Sequence, residues 1–122
     1  MIHPAQSLRT FIGSKNFEES TRFYQTLGFE VKKINPGFSL VKVSGNLCFY
    51  LQDYYQKDWC ENCMLFLEVE QLDAYWEAVK ILGLPEKFKG VKLSEIKKDD
   101  WGREFFLHDP AGNLWHFGEF FD

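Results

Sequence analysis

Twice along the chain, in the same order, the spacing of hydrophobic positions passes from strand-like to helical and back. Residues 8–13, Leu8-Arg9-Thr10-Phe11-Ile12-Gly13, have the length and content of a strand. Helical spacing follows, with Phe17, Phe23, Tyr24 and Leu27 on roughly one face. Asn16 is a good N-cap, Glu19 three residues on makes a capping-box-like pair, and Gly28 is the expected stop. Strand-like segments come next at residues 29–34, 38–43 and 47–51, with turns supplied by Asn35-Pro36-Gly37 and Ser44-Gly45-Asn46. Residues 52–62 lose the pattern and read as a linker or a mobile loop. The order then restarts with a strand at 64–69. Leu72, Tyr75, Trp76, Val79 and Leu82 mark a second helix closed by Gly83 and Pro85. A weaker alternating strand covers 92–98, and an aromatic hairpin turns at Asp109-Pro110-Ala111-Gly112, which suits a type I turn.

The repetition can be counted. Leu27-Gly28-Phe29 recurs as Leu82-Gly83-Leu84 at an offset of 55, and Gly45-Asn46-Leu47 recurs as Gly112-Asn113-Leu114 at an offset of 67, so twelve extra residues fall between the second helix and the last hairpin. The expected fold class is α+β, two βαβββ modules in one domain spanning 1–122, with the pseudo-repeat at 1–55 and 60–122. Chance similarity of short Gly motifs is the competing explanation. Alternation places Leu65, Leu67 and Val69 toward the helix and Met64, Phe66 and Glu68 on the opposite face, with Arg9, Phe11 and Gly13 as the matching set. Such a mixed face either lines a cleft or meets solvent or a partner subunit.

Composition narrows the function. Aromatic residues make up 18% of the chain, more than ordinary usage, so most rings must be core while the rest can form a stacking surface. A formal charge of -4 argues against nucleic acid or an anionic membrane as partner and mildly for a neutral or cationic ligand. No signal-like or transmembrane stretch is evident, so a cytoplasmic location is expected, with the three cysteines reduced. Cys60-Glu61-Asn62-Cys63 has the spacing of half a zinc site or a redox pair, but no second half exists at a recognisable spacing. Lys97-Lys98-Asp99-Asp100 reads as a solvated turn, and no nucleophile elbow, phosphate loop or carboxylate pair stands out.

Trp101-Gly102-Arg103-Glu104-Phe105, followed by Asp109-Pro110-Ala111-Gly112-Asn113 and His116-Phe117, resembles the bleomycin resistance proteins of the vicinal oxygen chelate superfamily, which also holds glyoxalase I and the extradiol dioxygenases. The likeness extends thinly over the whole chain. It implies a curved mixed sheet with a ligand crevice. The enzymes of that superfamily hold a divalent metal, and their usual ligand positions fall here on Arg9, Met64 and His116. Arginine is a permanent cation and methionine a soft thioether, so the resemblance implies no metal and no cofactor in this chain. His116 then reads as an imidazole hydrogen-bonded within the sheet.

Bleomycin resistance proteins act as homodimers that sequester the drug in crevices at the subunit interface, without chemistry. The resemblance therefore implies a small-molecule ligand that is planar, aromatic and cationic, bound by Trp101, Phe38, Phe49, Phe66, Arg9, Glu104 and His116. Lys33 departs from the pattern, falling where relatives carry a second stacking ring. The alternative is a glyoxalase- or dioxygenase-like enzyme with a displaced metal site.

Overall fold

The first helix forms where its caps direct. In the computed structural model, which describes residues 2–122, α1 (Phe17–Leu27) starts after an extended Asn16 whose side chain accepts the Glu19 N–H at 3.1 Å. It ends at Gly28, whose φ of 104° suits a residue without a Cβ, and the Phe29 N–H closes on the Tyr24 carbonyl at 2.9 Å. The strands around it are β1 (Phe11–Gly13), β2 (Glu30–Asn35), β3 (Phe38–Ser44) and β4 (Leu47–Gln52). They form one sheet in the order β1-β4-β3-β2, with β1 parallel to β4 and the other pairs antiparallel. The expected strand at 8–13 is thus shortened to its last three residues. The Tyr50 N–H still reaches the Thr10 carbonyl at 2.9 Å, but beyond that point the chain leaves the sheet, with Leu8 97% exposed.

Residues 52–62 are neither a linker nor a free loop. They contain a helical turn, α2 (Lys57–Cys60), and are tied to the end of β1 by Ser14 N–H to Tyr54 carbonyl at 3.0 Å and Ser14 hydroxyl to Gln52 carbonyl at 2.8 Å. Close packing here needs Gly13, because a Cβ at that position would come within 2.5 Å of the Tyr54 carbonyl and 2.7 Å of the Cys60 sulfur.

The second module repeats the first. Its elements are β5 (Met64–Glu68), α3 (Leu72–Ile81), α4 (Leu84–Lys87), β6 (Lys92–Leu93), β7 (Lys97–Lys98), β8 (Gly102–His108) and β9 (Leu114–Phe120). β5 runs parallel to β9, β9 pairs with β8, and β6 and β7 pair with β8, so the single strand expected at 92–98 is broken in two. Gly83 and Pro85 do more than close α3. Gly83 turns at a φ of 65° and Pro85 sits in the first turn of α4, where its missing N–H costs nothing. This inserted turn buries Leu84 and Phe88, and Phe88 meets Phe23 of α1 edge-on at 5.6 Å.

Observed registers refine the repeat. Phe11 lies opposite Tyr50 and Tyr50 opposite Leu40, as Phe66 lies opposite His116 and His116 opposite Phe106. The offset is therefore 55 for the first strands and 66, not 67, for the last two, and the insertion is eleven residues. The pairs Lys42–Cys48 and His108–Leu114 both keep the offset of 66, so the Gly-Asn-Leu motif merely sits one place differently within two turns of equal length. No helix among the described residues is long and apolar enough to cross a membrane.

Both sheets turn their inner faces to one core, in which Tyr24, Phe29, Phe49, Phe105, Trp115 and Phe117 are buried. The Asp109-Pro110-Ala111-Gly112-Asn113 turn is anchored in this core. Asp109 Oδ1 accepts the Ala111 and Asn113 N–H groups, each at 2.9 Å, and the Gly112 N–H bonds the Asp109 carbonyl at 3.0 Å. Oδ2 accepts the Tyr24 hydroxyl of the first module at 2.7 Å and the Asn113 amide at 2.8 Å, and that amide also bonds the Gly13 carbonyl at 2.9 Å. Trp115 Nε1 in turn donates to the Tyr24 oxygen at 3.0 Å. Burial pushes the Asp109 carboxyl above its ordinary 3.8, while the hydrogen bonds from Tyr24 and Asn113 pull it back.

Tyr24→Phe strands the Trp115 indole N–H in the core and leaves Asp109 Oδ2 with the Asn113 amide as its one remaining donor. It should cost roughly 2 kcal/mol in urea unfolding at neutral pH, given about 1–3 kcal/mol for one unpaired buried group. Because the Tyr24 bond favours the carboxylate, the deficit should shrink as the pH falls through the raised Asp109 pKa toward 3.8.

Candidate functional site

Strand alternation sends Phe105, Leu107, Trp115 and Phe117 into the core and leaves Glu104, Phe106, His116 and Phe66 on the outer face of the second sheet. Trp101, just ahead of β8, and Phe120, at the end of β9, complete that face. Phe66, Trp101 and Phe120 form a triangle with centroid separations of 5.8 Å, 5.7 Å and 5.2 Å. Phe66 is 45% exposed, and Gly118 beneath it makes room, since a Cβ there would lie 2.5 Å from the Phe66 ring.

At the base of this wall His116 Nδ1 lies 2.9 Å from Glu104 Oε1, with Phe66 stacked near the imidazole at 6.3 Å and Phe106 edge-on at 5.0 Å. An ionised carboxylate only accepts, so Nδ1 carries the hydrogen of this bond, and Nε2 points to no other partner among the described residues. Glu104 is buried and His116 partly so. The hydrogen bond expected of His116 is thus to a side chain on the neighbouring strand.

The first sheet has a counterpart outer face. Phe11, Phe38 and Tyr50 meet at 4.7 to 5.8 Å, and Arg9 donates to the Tyr50 hydroxyl at 2.9 Å with its guanidinium 5.6 Å from the ring centre. Of the residues expected at the site, Trp101, Phe66, Glu104 and His116 therefore come together, while Phe38 and Arg9 belong to this other face. Phe49 is 2% exposed and packs edge-on to Trp115 at 5.3 Å, its rim reaching only a groove of about 190 Å³ shared with Leu8, Leu47 and Phe66. Lys33 pairs with Ser39 on the helix side of β2 and β3, beside Phe17 and Arg22, so it faces neither aromatic wall and its departure from the pattern does not bear on either.

Tyr50 and Phe120 belong to the two aromatic walls and were not among the residues selected from the sequence. The signal for both was strand alternation, Tyr50 as the outward neighbour of Phe49 and Phe120 as the last outward ring of β9. Arg103, next to Glu104 in sequence, points the other way. It forks between Asp73 of α3 and Glu119 of β9, at 2.7 Å to each, while Glu119 accepts the first N–H of α3 at 3.3 Å. Arg103 therefore docks a helix and does not contact the wall.

The donor set does not fit the metal of the enzyme branch. Among the described residues no three His, Cys, Asp or Glu side chains converge, and Met64 stands on the open face at 66% exposure. Cys60 and Cys63 are unpaired thiols whose pKa values burial pushes up, which disfavours the thiolate needed for redox or metal chemistry.

Neither a protein-family model nor a curated protein matches the sequence. Solved structures do. A bleomycin-binding protein complexed with bleomycin aligns with a TM-score of 0.78 at 19% identity, over 94% of this chain and 98% of that one. The bleomycin-binding protein of Streptomyces verticillus, complexed with copper(II)-bleomycin, gives 0.76 at 22%, over 93% and 97%. An antibiotic-binding protein from Streptomyces sp. CB03234 gives 0.71 at 22%, over 98% and 100%. The chain has the fold of these proteins, as the resemblance implied.

Gly118→Ala should displace the Phe66 ring and little else, because the flexible ring, not backbone, is the nearest atom set. The expected result is a changed Trp101 emission with a stability loss of about 1–3 kcal/mol. Unchanged emission would mean that Phe66 does not rest on Gly118.

Proposed function

We propose that the protein is a binding module that sequesters a planar aromatic, cationic small molecule of the bleomycin type and performs no chemistry on it. The observation that carries this reading is the Phe66, Trp101 and Phe120 triangle, open to a ligand and set beside the buried carboxylate of Glu104. Rings at this spacing offer both faces and edges to a flat heteroaromatic group, at about 0.5–1.5 kcal/mol per aromatic pair beyond area burial. Glu104 supplies the complementary charge. The fold shared with proteins solved in complex with bleomycin supports the same choice.

Both aromatic walls lie on the side of their sheets remote from the core, so a single chain covers neither. We assign a homodimer in which the Phe11, Phe38 and Tyr50 wall of one copy closes over the Trp101 wall of its partner, with the ligand crevice between them. Paired walls would also hide the exposed Phe11 and Met64 side chains. The unpaired thiols suit the reducing cytoplasm in which we place the protein.

Titration with bleomycin should give saturable quenching of tryptophan fluorescence. Trp101→Ala should weaken that binding at least about tenfold, or roughly 1.4 kcal/mol, while moving the melting temperature by less than about 4 °C. A collapsed melting temperature with binding intact would make Trp101 a core residue. Light scattering should return twice the 14.4 kDa protomer mass; a monomer at every concentration would sink the interface crevice. A stoichiometric, tightly held metal in purified protein would favour the enzyme reading instead.

A further inference from the structure

We propose that a second, cationic cleft at the seam of the two modules binds a small dianionic oxyanion of the phosphomonoester or dicarboxylate kind. The cleft has a volume of about 370 Å³ and is built from Lys15 of the first module, Tyr55 and Glu61 of the connecting segment, and Lys92, His108 and the Pro110–Gly112 turn of the second. It takes nothing from the aromatic ligand reading, since none of the Trp101 wall residues line it.

Its charge runs against that of the chain. The molecule carries -4 overall, yet here two lysines and a histidine share a cavity with one carboxylate. No carboxylate lies within 4 Å of the Lys15 or Lys92 ammonium among the described residues, although such pairs form elsewhere at Lys97 and Arg103. Lys15 is exposed, with its ammonium 5.5 Å from the centre of the Tyr55 ring. Lys92 lies opposite His108 in the β6–β8 register, and burial, with the Lys92 charge second to it, pushes the His108 pKa down. His108 therefore stands there as a neutral hydrogen-bonding imidazole, and Lys15 and Lys92 supply the positive charge that an anion would meet.

The walls are shaped to admit one. Gly90 turns at a φ of 83° and a side chain there would meet nothing within 4 Å, so the rim is open. Glu61 lies against Gly112, where a Cβ would come 3.2 Å from Glu61 Cγ, so the one carboxylate is packed along the turn. Lys15, Tyr55, Glu61, Lys92 and His108 bring polar groups to the walls and Pro110 and Ala111 form the apolar part, which suits a compact, charged ligand and not a flat aromatic one.

The test is a titration of 15N-labelled protein with inorganic phosphate and, separately, succinate, at constant ionic strength. The expected result is saturable shifts of the Gly90, Lys92 and Gly112 amides, in either arm or both. Phosphate alone would assign the phosphomonoester class, succinate alone the dicarboxylate class. Lys15→Ala and Lys92→Ala, both exposed changes, should each weaken binding roughly fivefold, as expected for one partly exposed ion pair. Glu61→Gln should tighten it about twofold. Shifts in both arms that stay linear to about 20 mM, or that neither lysine substitution alters, would overturn the proposal.

Discussion

A carboxylate with no access to water holds this molecule together. Asp109 is sealed in the core, and it is tolerable there only because both oxygens accept hydrogen bonds from groups aimed at them. Those donors come from two places: the turn that Asp109 itself begins, and the first helix of the other module. The two halves share little strand pairing, so their relation rests on the aromatic core and on this network, which fixes Tyr24, Trp115, Asn113 and Gly13 relative to one another. The outer faces of both sheets are positioned as a consequence. A shift of Trp115 would move His116, and with it the base of the aromatic wall.

Much of this was legible in the sequence because its causes are local. Asn16 and Gly28 bound α1 through contacts within a few residues, and the Asp109 turn forms through its own side chain. The module repeat was legible too, since each copy carries the same order of periods. What failed was register. Counting from Gly-Asn-Leu motifs gives an offset of 67, which superposes Phe49 on His116, whereas the strand pairing gives 66 and superposes Tyr50 there. One residue of slip exchanges the two faces of a strand. Phe49, expected at the site from the family resemblance, lies in the core, and Tyr50 takes the outward position beside it. An ungapped alignment likewise has no means of seeing which face of β2 Lys33 occupies, which is the one beside Phe17 and Arg22.

Proximity in three dimensions was the other hidden quantity. Nothing in the spacing of Glu104 and His116 announces a 2.9 Å contact, because it depends on the pairing of β8 with β9 across the turn. Arg103 and Glu104 are adjacent in sequence and serve opposite sides of the sheet, one docking α3 and the other facing the wall. The seam cleft draws on residues from 15 to 112, and its charge is visible only once the chain has folded.

The sheet rims carry a further consequence of the duplication. In each module the last strand of the sheet on one side bears lysines: Lys32 and Lys33 on β2, and Lys92, Lys97 and Lys98 on the split β6 and β7. Short, charged edges of this kind repel an incoming strand. The opposite rims, β1 and β5, have a neighbour on one side only and carry Phe11, Met64 and Phe66 without a lysine within the strand. Uncontrolled lengthening of either sheet is therefore blocked at one rim and permitted at the other. Any self-association by strand addition, wanted or pathological, has a direction written into it, toward the first strand of each repeat.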